Sequence, residues 1–195
     1  MTALPTKKYI SPEEYLAAER EALEKHEYLN GEIFAMAGAK AAHVEICSNL
    51  NISIGSQVRD KNCRSYQSDL RVHLPTTGLY TYPDLIVVCG KIELVPDGYL
   101  DTLLNPTLII EVLSPSTADY DRGAKFDHYK TIDSLKEYVL VWQDKKRVAR
   151  HTRLDDDSWV LTDFIGDGSD IHLASIGCVL SMADIYAKVE NLSPQ

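Results

Sequence analysis

Two acidic residues lie in apolar runs where an unpaired charge is costly, and a lysine follows them. Asp84 falls in Tyr82-Pro83-Asp84-Leu85-Ile86-Val87-Val88, and Glu111 in Thr107-Leu108-Ile109-Ile110-Glu111-Val112-Leu113-Ser114. Val/Ile/Leu runs bounded by Pro, Gly and Asn read as buried strands. Desolvation penalises a carboxylate ionised inside such a run unless a cation accompanies it. Two of them together point to a shared cation. Downstream, Asp119-Tyr120-Asp121-Arg122-Gly123-Ala124-Lys125 opens a predicted helix that carries Tyr129. Helical spacing puts Arg122, Lys125 and Tyr129 on one face. Oxygen donors suit hard ions such as Mg²⁺ or Mn²⁺, so Asp84, Glu111 and the Val112 carbonyl form a candidate metal site. A metal there would polarise a phosphate and activate a water, with Lys125 as the cation beside the developing charge. The same residues admit a purely structural reading, in which Asp84 caps the start of its strand and Glu111 is the buried partner of Lys125 or Arg122.

The elements that must position these groups follow from local signals. Ser11-Pro12-Glu13-Glu14 carries a capping box, predicting a helix to about Glu24. Asn30-Gly31 between two strand-like arms predicts a hairpin. A helix over about residues 40–58 puts His43, Ile46, Cys47, Leu50 and Ile54 on one face. Alternation predicts a strand from about Arg64 to Leu74, with Leu70, Val72 and Leu74 on one side and Asp69, Arg71 and His73 on a solvated polar side. Glu137–Trp142 reads as a buried strand. Val148–Arg153 and Trp159–Phe164 read as a hairpin, and Ser181 caps a short last helix. The middle of the chain, about residues 40–143, is therefore α-β-β-β-α-β, inside a single domain spanning 1–195.

Composition sets bounds. The chain is 45% apolar and 25% charged, as in an ordinary globular protein, with a net charge of −9. That balance argues against strong non-specific affinity for DNA phosphates, which calls for a basic surface. Cys47, Cys63, Cys89 and Cys178 form no Cys-x-x-Cys pair, so a structural zinc site of that kind is not expected. Cys47 and Cys89 read as core filling. With no signal sequence and no membrane-length apolar run, the expected location is the cytoplasm, away from membranes.

The order of elements, with Glu27-Tyr28-Leu29-Asn30-Gly31-Glu32-Ile33, His43, Tyr82-Pro83-Asp84, Glu111-Val112-Leu113-Ser114-Pro115-Ser116-Thr117, Asp121-Arg122, Lys125, Tyr129 and Glu137-Tyr138, resembles the PD-(D/E)XK nuclease superfamily. More narrowly, it resembles the Uma family of restriction endonucleases. The resemblance implies an α/β fold: a restriction-endonuclease-like core with a mixed β-sheet flanked by helices, plus an extra N-terminal helix and hairpin. It implies Mg²⁺- or Mn²⁺-dependent hydrolysis of DNA, with Asp84 and Glu111 on the metal. It draws His43 toward the site as a phosphate contact or acid/base group. Tyr129 reads as a core residue or as support for Lys125 or a phosphate contact, and Glu32 as an exposed strand-edge charge or a group that reaches the metal through water. Where the superfamily motif has lysine, two residues after the glutamate, this chain has Leu113. The resemblance implies that the lysine has moved to the following helix as Lys125. By analogy, cutting two strands favours a homodimer. The alternative, which the net charge favours, is an inactive nuclease-fold binding or regulatory module.

Overall fold

The apolar runs around both acidic residues are strands covered on both faces. The computed structural model describes residues 9–190, 192 and 193. In chain order its elements are α1 (Pro12–Glu21), β1 (His26–Leu29), β2 (Glu32–Ala35), α2 (Ala41–Val58), β3 (Cys63–Gln67), β4 (Arg71–Leu74), β5 (Leu79–Thr81), β6 (Leu85–Cys89), β7 (Thr102–Leu103) and β8 (Leu108–Leu113). Then follow α3 (Ala118–Arg122), α4 (Ala124–Tyr129), β9 (Glu137–Trp142), β10 (Arg147–Arg153), β11 (Trp159–Ile165), β12 (Asp170–Leu173), β13 (Cys178–Ser181) and α5 (Met182–Ile185). A six-stranded sheet runs β11-β10-β9-β8-β6-β3, a five-stranded sheet β2-β1-β5-β4-β7, and β12-β13 form a separate hairpin. The six-stranded sheet is mixed, with β8 and β9 parallel and its other pairs antiparallel. The expected mixed α/β fold is the one observed.

Every residue of β8 and β9 is buried, so each face of the sheet needs a covering layer. On one face Ile46, Leu50, Ile54 and Val58 of α2 pack with α5 and the β12-β13 hairpin against Leu85, Val87, Leu108 and Ile110. On the other, Phe126 and Tyr129 of α4 join Ile86, Ile109, Leu113 and Tyr138, together with Val72, Leu74 and Leu79 of the five-stranded sheet. Fully burying each such side chain stabilises the fold by roughly 1.5–3 kcal/mol. α1 packs on the opposite side of the five-stranded sheet, through Tyr15 and Leu16 against Tyr28 and Tyr80. Its capping box forms as expected, both halves present, and the helix stops at Glu21, short of Glu24. Asn30 and Gly31 take φ of 47° and 94°, the positive values that the tight hairpin turn requires.

Several local expectations are corrected. The single strand expected over Arg64–Leu74 is two, β3 and β4, in different sheets. A turn in which the Leu70 amide donates to the Gln67 carbonyl at 3.1 Å separates them. Arg71 is consequently not on a solvated edge: it is buried, donates to Tyr82 and Thr102, and pairs with Asp101. His73 stacks on Tyr80 with ring centroids 3.9 Å apart. The lysine helix is broken at Gly123, where a Cβ would lie 3.1 Å from the Asp119 carbonyl. Arg122 is therefore exposed over Trp142 and does not join Lys125 and Tyr129. Cys63 and Cys89 pack against the core and face each other in the β3–β6 register as a disulfide, a pairing their spacing did not announce. Among the described residues no helix is long and apolar enough to cross a membrane.

Candidate functional site

Strand register brings Asp84 and Glu111 together. In the antiparallel β6–β8 pair, Leu85 faces Ile110, Ile86 faces Ile109 and Val87 faces Leu108. One step beyond Leu85, where the chain crosses from the five-stranded to the six-stranded sheet, Asp84 comes opposite Glu111. The Asp84 amide donates to Glu111 Oε2 at 3.4 Å, and the Val112 amide donates to Asp84 Oδ2 at 2.7 Å. Each carboxylate is thus held by a main-chain amide of the other's segment, Glu111 by Asp84 and Asp84 by Val112.

Lys125 reaches this pair from α4, over the face of β8 that Leu113 occupies. Its Nζ lies 3.0 Å from Glu111 Oε1, 3.1 Å from Glu27 Oε1 and 3.4 Å from Asp121 Oδ1, with none of these side chains more than 13% exposed. Tyr129, one turn further along α4, donates to Glu111 Oε1 at 2.8 Å. From α2, His43 Nε2 meets Asp84 Oδ1 at 3.0 Å. Glu27 arrives from β1 because strand alternation points it away from its buried neighbour Tyr28. Thr81 donates a hydrogen bond that holds it.

The electrostatics of this cluster are unbalanced. Glu27, Glu111 and Asp121 converge on one ammonium, while Asp84 pairs with His43, which adds at most one further positive charge. Burial pushes the Glu111 carboxyl up to about 8; Lys125 opposes the shift, while Asp121 and Asp84 add to it. Burial also raises Asp121. Burial alone would lower Lys125, but Glu111, Tyr129, Glu27 and Asp121 outweigh it and keep the ammonium well above the ordinary lysine range. His43 behaves similarly: burial disfavours its charge, and Asp84 more than restores it. Two neighbouring oxygen donors with surplus negative charge are the donor set that a hard divalent cation fits, and such an ion would reverse the upward pressure on Glu111.

The cluster forms the floor of a cleft of about 1220 Å³, with Lys25 and Lys40 also among its lining residues. Of the residues singled out by sequence, Asp84, Glu111, Val112, Lys125 and His43 line it. Tyr129 does not; it is fully buried behind Glu111, to which its hydroxyl donates. Glu32 does not line the cleft, and the acidic residue the hairpin contributes is Glu27. Sequence reasoning gave no role to Glu27, Cys47 or Gln143 at this site, and treated Asp121 as fixing a loop. Gln143 is buried in the cleft wall with its Oε1 unpartnered. An amide directly after an all-buried strand was the available signal for it.

The Uma2 family model, described as "Putative restriction endonuclease", matches residues 12–183. The chain is 34% identical to "Uncharacterized protein sll1609" of Synechocystis sp., over 89% of this chain and 98% of that one. It is 35% identical to "Uncharacterized protein slr1290" of the same organism, over 91% of each. A crystal structure described as "a putative nuclease belonging to DUF820 from Anabaena variabilis" shares the fold, with a TM-score of 0.73 and 21% identity over 91% of this chain and 98% of that one.

Proposed function

Because the chain belongs to the Uma2 family, we propose that its acidic cleft is the active site of a divalent-metal-dependent endonuclease that hydrolyses DNA phosphodiester bonds. The observation that carries this reading is the convergence of Asp84 and Glu111 at the cleft floor, beside a buried lysine that Glu111, Glu27 and Asp121 hold. Asp84 and Glu111 would hold Mg²⁺ or Mn²⁺, with the Val112 carbonyl as a third oxygen. When bound, the ion supplies Lewis acidity toward the phosphate and toward a water.

The chain's own residues do the rest. Lys125, kept charged by its three carboxylate neighbours, orients the attacking water and offsets charge building on the phosphate oxygens. Glu27 and Asp121 fix the lysine head so that this charge is aimed before substrate arrives. Tyr129 holds Glu111 in one orientation through its hydroxyl. His43, whose burial disfavours the charged form but whose contact with Asp84 outweighs it and favours protonation, is placed to give a proton to the leaving oxygen. Lys40 and Lys25, the latter paired with Asp69, line a cleft that carries more acidic than basic residues, so DNA affinity should be modest and cation-dependent. With one such site per chain, duplex cutting would use two copies.

The test is incubation of supercoiled plasmid and of single-stranded DNA with the pure protein in Mg²⁺, Mn²⁺ or EDTA. Cutting that requires the metal supports the proposal. Absence of cutting in every metal, by a folded protein, would favour a nuclease scaffold retained for binding.

A further inference from the structure

Cys47 stands one helical turn after His43 on α2, so both side chains point into the cleft from one face. A nitrogen of His43, the Cys47 sulfur and an oxygen of Asp84 all lie within 4.8 Å of one another. Cys47 is a free thiol, partly exposed to the cleft. The His43–Asp84 contact is 3.0 Å, and the ligand–ligand edges of a tetrahedral zinc site are about 3.3–3.7 Å. Side-chain rotation of about an ångström therefore closes the triangle around an ion. The contact with Asp84 already brings the imidazole and the carboxylate together.

We propose that His43, Cys47 and Asp84 form a second cation site, selective for a thiolate-accepting divalent ion of the zinc class, with its fourth position open to the cleft. Mg²⁺ has little affinity for sulfur and competes only through the shared Asp84. The site shares Asp84 with the proposed magnesium site but uses Cys47 instead of Glu111, so occupancy by zinc withdraws Asp84 from the nuclease reaction. Zinc at this position is therefore an inhibitor, and Cys47 is the residue that makes the protein sensitive to it.

The experiment is titration of the metal-free protein with Co²⁺, read as the near-ultraviolet thiolate-to-cobalt charge-transfer band. Wild type should show the band at about one equivalent, and Zn²⁺ should abolish it at far lower concentration than Mg²⁺. Cys47→Ser should lack the band, His43→Ala should weaken binding at least tenfold, and Glu111→Gln should keep it. No band from folded wild-type protein, or an equal band in folded Cys47→Ser, would overturn the proposal. The measurement needs no turnover. A protein that binds cobalt through Cys47 but never cuts DNA loses only the nuclease reading; one that cuts DNA but gives no band loses only this site.

Discussion

Replacing Lys125 by Met tests whether the buried cluster is held together by a single positive charge. The substitution keeps an unbranched apolar stem and deletes the ammonium. Glu111, Asp121 and Glu27, whose oxygens lie 3.0, 3.4 and 3.1 Å from that ammonium, then face one another without a cation. Removing one partner of a buried pair costs roughly 3–5 kcal/mol, because the other charge stays uncompensated. With a urea dependence of about 2 kcal/mol/M for a chain of this size, the unfolding midpoint in EDTA should fall by about 2 M. The loss should depend on pH. Glu111 and Asp121 already sit above the ordinary carboxylate range, and without lysine they rise further. A carboxyl with a raised folded-state pKa destabilises as pH climbs through and past the ordinary carboxylate range, so the deficit should be larger near about pH 8 than near about pH 5. Lysine itself stays charged throughout. Urea unfolding of wild type and Lys125→Met at both pH values, in EDTA, is the assay. A loss below about 1 kcal/mol, or one independent of pH, would refute the reasoning.

Other consequences are open to direct measurement. Tyr129→Phe removes a buried hydroxyl from Glu111. It should cost about 1.5–3 kcal/mol of stability and slow metal-dependent cleavage about tenfold, read by unfolding and by initial rates. Burial pulls His73 down to about 4, so the unfolded state binds its proton better. Stability from this residue is present above about pH 6.5 and is lost toward about pH 4, by about 2 kcal/mol after discounting for partial exposure. His73→Gln should flatten that part of the stability profile, and an unchanged slope would count against the assignment. The Cys63–Cys89 disulfide closes a separation of 26 residues. Reduction should lower wild-type stability by about 3 kcal/mol and leave Cys63→Ser unchanged.

The sheet around the site was readable from sequence because its strands are all-apolar runs with polar punctuation. The meeting of Asp84 with Glu111 needed one further fact, the β6–β8 register, which no spacing along the chain encodes. Lys125 was legible as a cation near the acidic pair, but helical spacing put it on a face with Arg122, whereas Gly123 breaks the helix and Asp121 is the neighbour it meets. Glu27 was hidden because an acidic residue beside a hairpin turn normally faces water. The break between β3 and β4 escaped notice since apolar alternation runs on across the turn at Ser68-Asp69-Leu70, although the two strands belong to different sheets. β7 and the β12-β13 hairpin are only two to four residues per strand, too short for a period to register.

The central claim is that Glu111 acts on DNA with a metal and that Lys125 has taken over the lysine's place. It is tested most directly by comparing wild type, Glu111→Gln and Lys125→Ala, purified in parallel and shown folded by circular dichroism, for nicking of supercoiled plasmid in Mg²⁺ and Mn²⁺. The account predicts metal-dependent nicking by wild type and its loss in both variants. Equal nicking by folded Glu111→Gln would contradict it.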